Sequence, residues 1–237
     1  TAQGIIDGLK QKGYEEGKNL EIRIESAQAD PRLAQQIASK YVNQNPDVVV
    51  AVGTLTAQTF AKAAAAGNVK LVFSSVTDPL KSDLVKTLQN PGNNTTGVSN
   101  YVELQPQLTL FLKLQPNLKR LGFLYNRGEA NSVILKENLE ELCPKFNVTL
   151  IEQTITKTAD VAQNATKLAQ NVDAIFISND STALSSLSSV IKAANEAKIP
   201  LYVSDTDAVE LGATAALGPN QRDVGLQTGF IIAKLLD

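Results

Sequence analysis

The side chains of this protein that could do chemistry are hydroxyls, amides and carboxylates that follow short apolar runs. Five apolar runs end in this way, directly before the segments 53–56, 74–78, 126, 178–182 and 204–207. Such groups donate and accept hydrogen bonds, but serine, threonine and asparagine do not titrate near neutral pH. The sequence contains no histidine and one cysteine, Cys143. This set is suited to holding a small polar molecule and poorly equipped to transform one.

Enzyme chemistry finds little support in these residues. A Ser-His-Asp relay is impossible without histidine, and the Gly-x-Ser-x-Gly motif is missing. Without histidine and with one cysteine, no conventional zinc site can form, so we expect neither a metal nor a cofactor. Paired carboxylates such as Asp78 and Asp205 could serve a glycosidase in principle. An enzyme of Rossmann-like architecture acting on a small polar substrate therefore stays an alternative.

The apolar runs themselves predict the elements that position these groups. They are rich in β-branched residues and do not alternate, which is typical of strands buried on both faces of a parallel sheet. Strand and helix signals alternate along the chain, which predicts an α/β protein. The segment 90–97 is dense in Asn, Pro and Gly, and a second βα series follows it. The sequence thus predicts two α/β units joined near Val98–Val102.

Several individual elements can be predicted. Alternation predicts a strand at Leu20–Glu25, and Asp30-Pro31 predicts the capped start of a helix that reaches Tyr41. One helix is expected over 181–197, and Asn131 or Ser132 is expected to cap a helix that runs to Leu142.

The first candidate site is the segment Gly53-Thr54-Leu55-Thr56, where a strand enters a helix. Free N–H groups and hydroxyls at a helix N-terminus favour an anion. The segment matches neither the phosphate-binding nor the dinucleotide-binding glycine motifs, so a carboxylate is the expected group. Thr54 and Thr56 would bind it, unless a threonine only caps the helix.

The other strand ends supply supporting groups. Ser75 and Thr77 would assist the carboxylate site, while Asp78 before Pro79 could also be a plain cap. Asn126 would contact the ligand from the second unit. Asp180 or Asp205 would meet an ammonium group, although each of them could equally be a cap or a turn former.

The net charge and the lengths of the apolar runs argue against two kinds of partner, nucleic acids and the membrane interior. The net charge is −2 and the isoelectric point is near 5.4, which argues against a nucleic-acid surface. No apolar run is long enough to span a membrane.

The strand-end motifs resemble those of a known family. They are Gly53–Gln58, Phe73–Pro79 and Gly97–Ser99 in the first half, and Leu124–Asn126, Glu129–Ser132, Asn179–Thr182 and Gly225–Gly229 in the second. They are similar to the ABC-transporter substrate-binding proteins of the tryptophan/tyrosine-binding type. The resemblance implies the type I periplasmic-binding-protein fold, in which two Rossmann-like lobes with parallel sheets are joined by a hinge of three crossings. It divides the chain into an N-terminal lobe, 1–100 plus 221–237, and a C-terminal lobe, 101–220.

The resemblance also implies a role. The protein would be an extracytoplasmic solute-binding protein of an ABC importer, periplasmic or lipid-anchored, and a monomer whose partner is the permease. It would hold an amino acid-like ligand in the interlobe cleft. The candidate ligand-binding residues are Thr54, Thr56, Ala57, Ser75, Val76, Thr77, Asp78, Asn126, Asn131, Asn179, Asp180 and Asp205.

One departure weakens the expectation of an aromatic ligand. Where the family often has aromatic residues, this chain has Gln221-Arg222-Asp223. An amino acid in general is therefore expected more firmly than an aromatic one. The ligand-sensing domain of a LacI-type regulator, which has the same fold, stays a second alternative beside the enzyme.

Overall fold

The structure is a computed structural model that describes residues 1–92 and 94–237. Asn93, within the turn-rich segment 90–97, lies outside the described residues. The chain forms two compact units. Unit 1 comprises Thr1–Tyr101 and Pro219–Asp237, and unit 2 comprises Val102–Gly218. The chain therefore passes between the units twice within the described residues, where the resemblance implies three crossings.

Unit 1 is built on a parallel sheet in the order β1-β2-β3. The strands are β1 (Val48–Val52), β2 (Lys70–Val76) and β3 (Thr95–Ser99). Helices α2 (Pro31–Asn43) and α3 (Thr54–Gly67) cover one face through a core that includes Ile37, Phe60 and Leu71. Helices α1 (Ala2–Gln11) and α9 (Gln221–Leu236) cover the other, where Ile5, Val72 and Ile232 are buried.

Unit 2 contains a five-stranded parallel sheet in the order β5-β4-β6-β7-β8. Its strands are β4 (Arg120–Asn126), β5 (Thr149–Ile155), β6 (Ala174–Ile177), β7 (Leu201–Val203) and β8 (Ala215–Ala216). Its helices are α4 (Leu104–Leu114), α5 (Ala130–Leu142), α6 (Val161–Ala169), α7 (Ser181–Ser185) and α8 (Leu187–Ala197). Short 3-10 helices span Cys143–Phe146, Thr158–Asp160 and Thr206–Val209.

Two apolar layers enclose the sheet of unit 2. On one face an aromatic cluster joins α4 to the strands, and Phe111 stacks on Tyr202 with ring centroids 4.3 Å apart. On the other face α6 and α8 pack on Ile175, Ile177 and Val203. The apolar runs that form β4, β6 and β7 are thus buried from both sides, as non-alternating runs require.

The α/β class with parallel sheets is confirmed. All five apolar runs form strands. The start of α2 is also as predicted, because the Asp30 side chain accepts hydrogen bonds from the N–H groups of Arg32 and Leu33.

Other predicted elements were wrong. Leu20–Glu25 is not a strand, because a strand needs a hydrogen-bonded neighbour and among the described residues only an isolated bridge, Glu16 to Leu20, touches the segment. Ile24 is 66% exposed there. The predicted helix 181–197 divides into α7 and α8 at Ser186, whose backbone leaves the helical region.

The start of α5 also differs from the prediction. Its N-cap is Glu129, and neither Asn131 nor Ser132 occupies that position, since both lie inside the helix and are buried. Strands β5 and β8 were not predicted: β5 is partly exposed along its length and β8 has two residues. Neither offers the continuous apolar run on which strand prediction depends.

Candidate functional site

The polar strand ends are grouped by the topology of each sheet. All strands of a parallel sheet point the same way, so their carboxyl ends lie at one edge, where α/β proteins bind ligands. In unit 1 this edge carries the ends of β1 and β2. In unit 2 it carries the ends of β4, β6 and β7.

The first turn of α3 has unpaired donors. Gly53, the N-cap residue, has a φ of 88° and donates its N–H to the carbonyl of Ser74 at 2.9 Å. The first helical hydrogen bond runs from the Ala57 N–H back to Gly53 at 3.0 Å. The N–H groups of residues 54–56 have no hydrogen-bond acceptor within the described part of the chain. A positive φ is a conformation that glycine adopts readily, and it lets the strand turn directly into the helix.

The two threonines of this turn are free to bind. Thr54 is 4% exposed and Thr56 is partly exposed, and neither hydroxyl is hydrogen-bonded to any described residue. The alternative that a threonine caps α3 was wrong, because Gly53 occupies the cap position and no side chain caps it. Ala57 lies in the core of unit 1 and its side chain is fully buried.

The end of β2 is irregular. Ser75 has a φ of 55°, and the pairing with β3 shifts register between Ser74 and Val76. This is a β-bulge, a feature that is common beside functional sites. The Ser75 hydroxyl donates to Gln221 Oε1 at 3.0 Å and lies 3.2 Å from the hydroxyl of Thr1. Val76 is fully buried in the core.

Thr77 and Asp78 follow the bulge. Thr77 is 2% exposed, and its Oγ1 has no hydrogen-bond partner among residues 1–92 and 94–237. Its carbonyl accepts from the Ser99 hydroxyl at 3.1 Å. Asp78 Oδ1 accepts from the N–H groups of residues 80 and 81 at 3.1 and 2.9 Å, as the capping interpretation predicts. The unpaired Thr77 hydroxyl is the more available of the two for a ligand.

In unit 2, β4 and β6 flank the topological switch point of the sheet. Strand β5, which follows β4 in the sequence, pairs with one side of β4, and β6 pairs with the other side. Asn126 ends β4 and is held at three atoms. Its N–H donates to Asp180 Oδ2 at 2.6 Å, its Nδ2 donates to Thr182 Oγ1 at 2.8 Å, and its Oδ1 accepts from the Gly128 N–H at 2.8 Å.

Asp180 follows β6 and is fully buried. Its Oδ2 also accepts from the Ser132 hydroxyl at 2.7 Å, and its Oδ1 accepts from the Ala183 N–H at 2.8 Å. Asp180 is thus the N-cap of α7. Burial raises the pKa of the Asp180 carboxyl, although the hydrogen bonds oppose that effect.

Glu129 is a central residue of this edge that sequence analysis did not select. It is 2% exposed and accepts from the N–H groups of Ser181 and Thr182, each at 2.9 Å, and from the Thr182 hydroxyl at 2.8 Å. Burial is the largest cause that raises the pKa of the Glu129 carboxyl, and the nearby charge of Asp180 is the second. A glutamate in a loop is ordinarily exposed, so only its place in the motif Glu129–Ser132 could have drawn attention to it.

The remaining predicted residues lie at the same edge of unit 2. Asn131 Nδ2 donates to the carbonyl of Asn179 at 2.6 Å, and its buried Oδ1 has no hydrogen-bond partner among the described residues. Asp205 follows β7 and is partly exposed. Its Oδ1 accepts from the Asp207 N–H at 3.1 Å, and burial raises the pKa of the Asp205 carboxyl.

The predicted site residues therefore lie in two groups, one in each unit. In unit 1, β1 and β2 are neighbours, so the start of α3 lies beside the end of β2. In unit 2, Asn126 and Asp180 share one hydrogen-bonded network, while Asn131 bonds to Asn179. Asp205 lies at the end of β7, which pairs with β6.

Within the part of the chain that the structure describes, Cys, Asp and Glu side chains nowhere form a group of three or more that could hold a metal ion. No helix in the same residues has the length and apolar character to cross a membrane.

The two parallel-sheet units have the fold of type I periplasmic binding proteins. A family model described as ABC transporter substrate binding protein matches residues 1–237. The chain belongs to this family of ABC transporter substrate-binding proteins. Proteins of this kind act outside the cytoplasm.

One named relative and two solved structures are similar to this chain over almost its whole length. A tyrosine-binding protein of Clostridioides difficile is 34% identical over 235 residues, which is 99% of this chain and 68% of the relative. A crystal structure of a conserved domain protein from Vibrio cholerae is 42% identical with a TM-score of 0.96. An ABC domain from Streptococcus pneumoniae in complex with L-Trp is 31% identical with a TM-score of 0.94. Each structure matches 99% of this chain and 79% of its own.

Proposed function

We propose that this protein binds an amino acid and that the first turn of α3 holds the ligand's α-carboxylate. The observation that carries the proposal is the set of unpaired donors there: the N–H groups of residues 54–56 and the hydroxyls of Thr54 and Thr56. A helix N-terminus favours negative charge through its free N–H groups and its dipole. The unpaired Thr77 hydroxyl at the end of β2 supports the same assignment.

The starts of α7 and α9 differ from that of α3. The first N–H groups of α7, in unit 2, are already taken by the carboxylates of Glu129 and Asp180. Asn220 likewise occupies the N-terminus of α9, because its side chain accepts from residues 222 and 223. These two helix starts are filled by the protein's own acceptors, whereas that of α3 is open within the described residues.

Burial favours Asp205 for the ammonium group. Asp180 is fully enclosed and both of its oxygens accept hydrogen bonds. Asp205 is partly exposed and one oxygen makes a single backbone contact. We therefore assign the ammonium to Asp205 and give Asp180 a supporting role.

The ligand class follows from the relatives. One is named a tyrosine-binding protein and another was solved with L-Trp. We propose that the ligand is an amino acid and that tyrosine and tryptophan are the first to test. The protein would not turn its ligand over, would act as a monomer in the periplasm or on a lipid anchor, and would deliver the ligand to an ABC permease.

Calorimetry and thermal shift with each of the common amino acids test this function. A ligand at a hundredfold excess over its Kd stabilises the folded state by about 2.7 kcal/mol, which gives a clear rise in Tm. Recovery of the ligand unchanged, measured by mass spectrometry, tests for turnover. A response to sugars or nucleosides, with none to any amino acid, would contradict the proposal. Conversion of the ligand would favour the enzyme alternative.

A further inference from the structure

We propose that Glu129 is a positioning residue whose buried carboxylate orients the side-chain amide of Asn126 at the ligand-binding edge of unit 2. The proposal rests on the proposed function for its consequence, ligand affinity, but its structural part can be tested without a ligand. Two hydrogen bonds connect three residues in series: Glu129 with Thr182, and Thr182 with Asn126.

The Glu129 carboxylate determines which atom is the donor in each of these two hydrogen bonds. An ionised carboxylate only accepts hydrogen bonds, so the Thr182 hydroxyl, 2.8 Å from Glu129 Oε1, must donate its one hydrogen there. The hydroxyl oxygen then has lone pairs free, and the atom of Asn126 at 2.8 Å from it must be a donor. The amide of Asn126 is therefore oriented with Nδ2 toward Thr182.

The same orientation satisfies the other end of the amide. With Nδ2 on Thr182, the Asn126 Oδ1 accepts from the Gly128 N–H at 2.8 Å. A flipped amide would place NH₂ against that N–H, leaving both donors without acceptors. The Gly128 N–H and the Thr182 hydroxyl thus favour the same amide orientation, and Glu129 acts on Asn126 only through Thr182, because Glu129 and Asn126 share no hydrogen bond.

Glu129 also fixes the position of Thr182 itself. Its two oxygens accept hydrogen bonds from the first N–H groups of α7, those of Ser181 and Thr182. Burying a carboxylate costs several kcal/mol unless hydrogen bonds compensate, and here the second buried carboxylate, Asp180, lies close enough to act on it. Local rules of stability are broken mainly where function requires it. This burial therefore points to a functional role for the residue.

The test compares Glu129→Gln with Thr182→Val in the full chain. The glutamine keeps the shape of the side chain but replaces one acceptor with a donor, and the valine removes only the hydroxyl link. Glu137→Gln is the matched control, because Glu137 lies on α5, the helix that follows Glu129, is exposed and has no hydrogen bond to another described residue. The readouts are the NMR signals of the Asn126 side-chain NH₂ and calorimetric affinity for the amino acid that the wild type binds.

Both test variants are expected to speed exchange of the Asn126 NH₂ protons and to weaken ligand binding by roughly tenfold, the change expected when a hydrogen bond to a charged group is lost. Glu137→Gln should change neither. Unchanged Asn126 signals in both variants would overturn the proposal, and so would altered signals with unchanged affinity. If the wild type binds no amino acid, the proposed function fails, and the Asn126 signals alone decide whether Glu129 positions that side chain.

Discussion

At the scale of single residues, the hydroxyl groups near the strand ends differ in whether the protein already uses them. The hydroxyls of Ser74 and Thr228 bond to each other at 2.7 Å and are buried. Those of Thr54 and Thr56 have no such partner in the described residues. Because a hydroxyl that the protein does not use can still donate and accept hydrogen bonds, the hydroxyls of Thr54 and Thr56 are the groups at these strand ends that a ligand can engage.

Replacement of Thr54 by valine tests this explanation. Valine keeps the volume and removes the hydroxyl, so we expect ligand affinity to fall roughly three- to tenfold, the value of one hydrogen bond. The free energy of unfolding without ligand should change little. Thr59→Val is the matched control on α3, because its hydroxyl donates to the Leu55 carbonyl at 2.8 Å and lies away from the helix start. Equal affinity of Thr54→Val and wild type would count against the assignment.

Asp173 should make the stability of unit 2 depend on pH. Its carboxylate accepts from the guanidinium of Arg120 at 2.6 Å and from the N–H groups of residues 119 and 120. The Arg120 hydrogen bond is the largest cause that lowers the pKa of Asp173. A lowered folded-state pKa gives stability that is present above the unfolded pKa, about 3.9, and is lost as the pH falls through the folded-state pKa.

The variant Asp173→Asn should therefore be less stable than the wild type by about 1–3 kcal/mol at pH 7. Urea unfolding at a series of pH values measures the difference. The difference in stability between wild type and variant is expected to narrow below pH ~4, where Asp173 of the unfolded state takes up a proton before Asp173 of the folded state does. A gap that stays constant down to pH ~2 would mean that the carboxylate charge contributes nothing.

At the scale of elements, α1 and α9 pack closely against each other. Gly4 and Gly8 on α1 face Gly225 and Gly229 on α9, four residues apart on each helix. A Cβ atom added at Gly229 would lie 2.5 Å from the Ile5 carbonyl oxygen. Since that atom belongs to the backbone, it cannot move aside without shifting the whole helix. The glycines therefore permit α9, which follows unit 2 in the chain, to complete unit 1.

Gly229→Ala should accordingly destabilise unit 1 by roughly 3 kcal/mol, at the upper range for overpacking. This holds although alanine is intrinsically the better helix former. Chemical denaturation measures the loss, and Gln227→Ala on the exposed face of the same helix should change stability by less than about 0.5 kcal/mol. A stabilised Gly229→Ala protein would show that the helices can separate at no cost.

At the scale of the whole molecule, the two units differ in continuity. Unit 2 is one uninterrupted segment, Val102–Gly218, and contains both of its apolar layers. Unit 1 needs two segments, because α9 supplies part of its core. A domain with its own core can fold alone, so unit 2 should be independent while unit 1 without α9 should not.

The fragment 102–218 is expected to fold by itself, and Cys143 reports whether it does. This thiol is fully buried, and burial raises its pKa to about 11, so it should resist thiol reagents until the fragment unfolds. The measurement is the labelling rate of Cys143 in the fragment and in the full chain, with and without urea. Immediate labelling of the native fragment would contradict autonomous folding.

Local patterns were enough to predict much of this protein. Non-alternating apolar runs are recognisable wherever a strand is buried on both faces, so all five were found, together with the polar residues after them and the Asp30 cap of α2. The α/β class follows from these alone, because parallel strands need helices between them. The resemblance in the strand-end motifs added the family, which the whole-chain match confirms.

Only the tertiary structure decided which polar groups are already used. Thr54, Asp180 and Glu129 all belong to strand-to-helix connections, yet the first has a free hydroxyl and the other two are enclosed acceptors for α7. Likewise, Leu20–Glu25 has the alternation of a strand but no partner strand in the described residues. The physical reason is common to both cases: a sequence specifies which hydrogen-bonding groups a residue carries, whereas their partners come from residues brought together by folding.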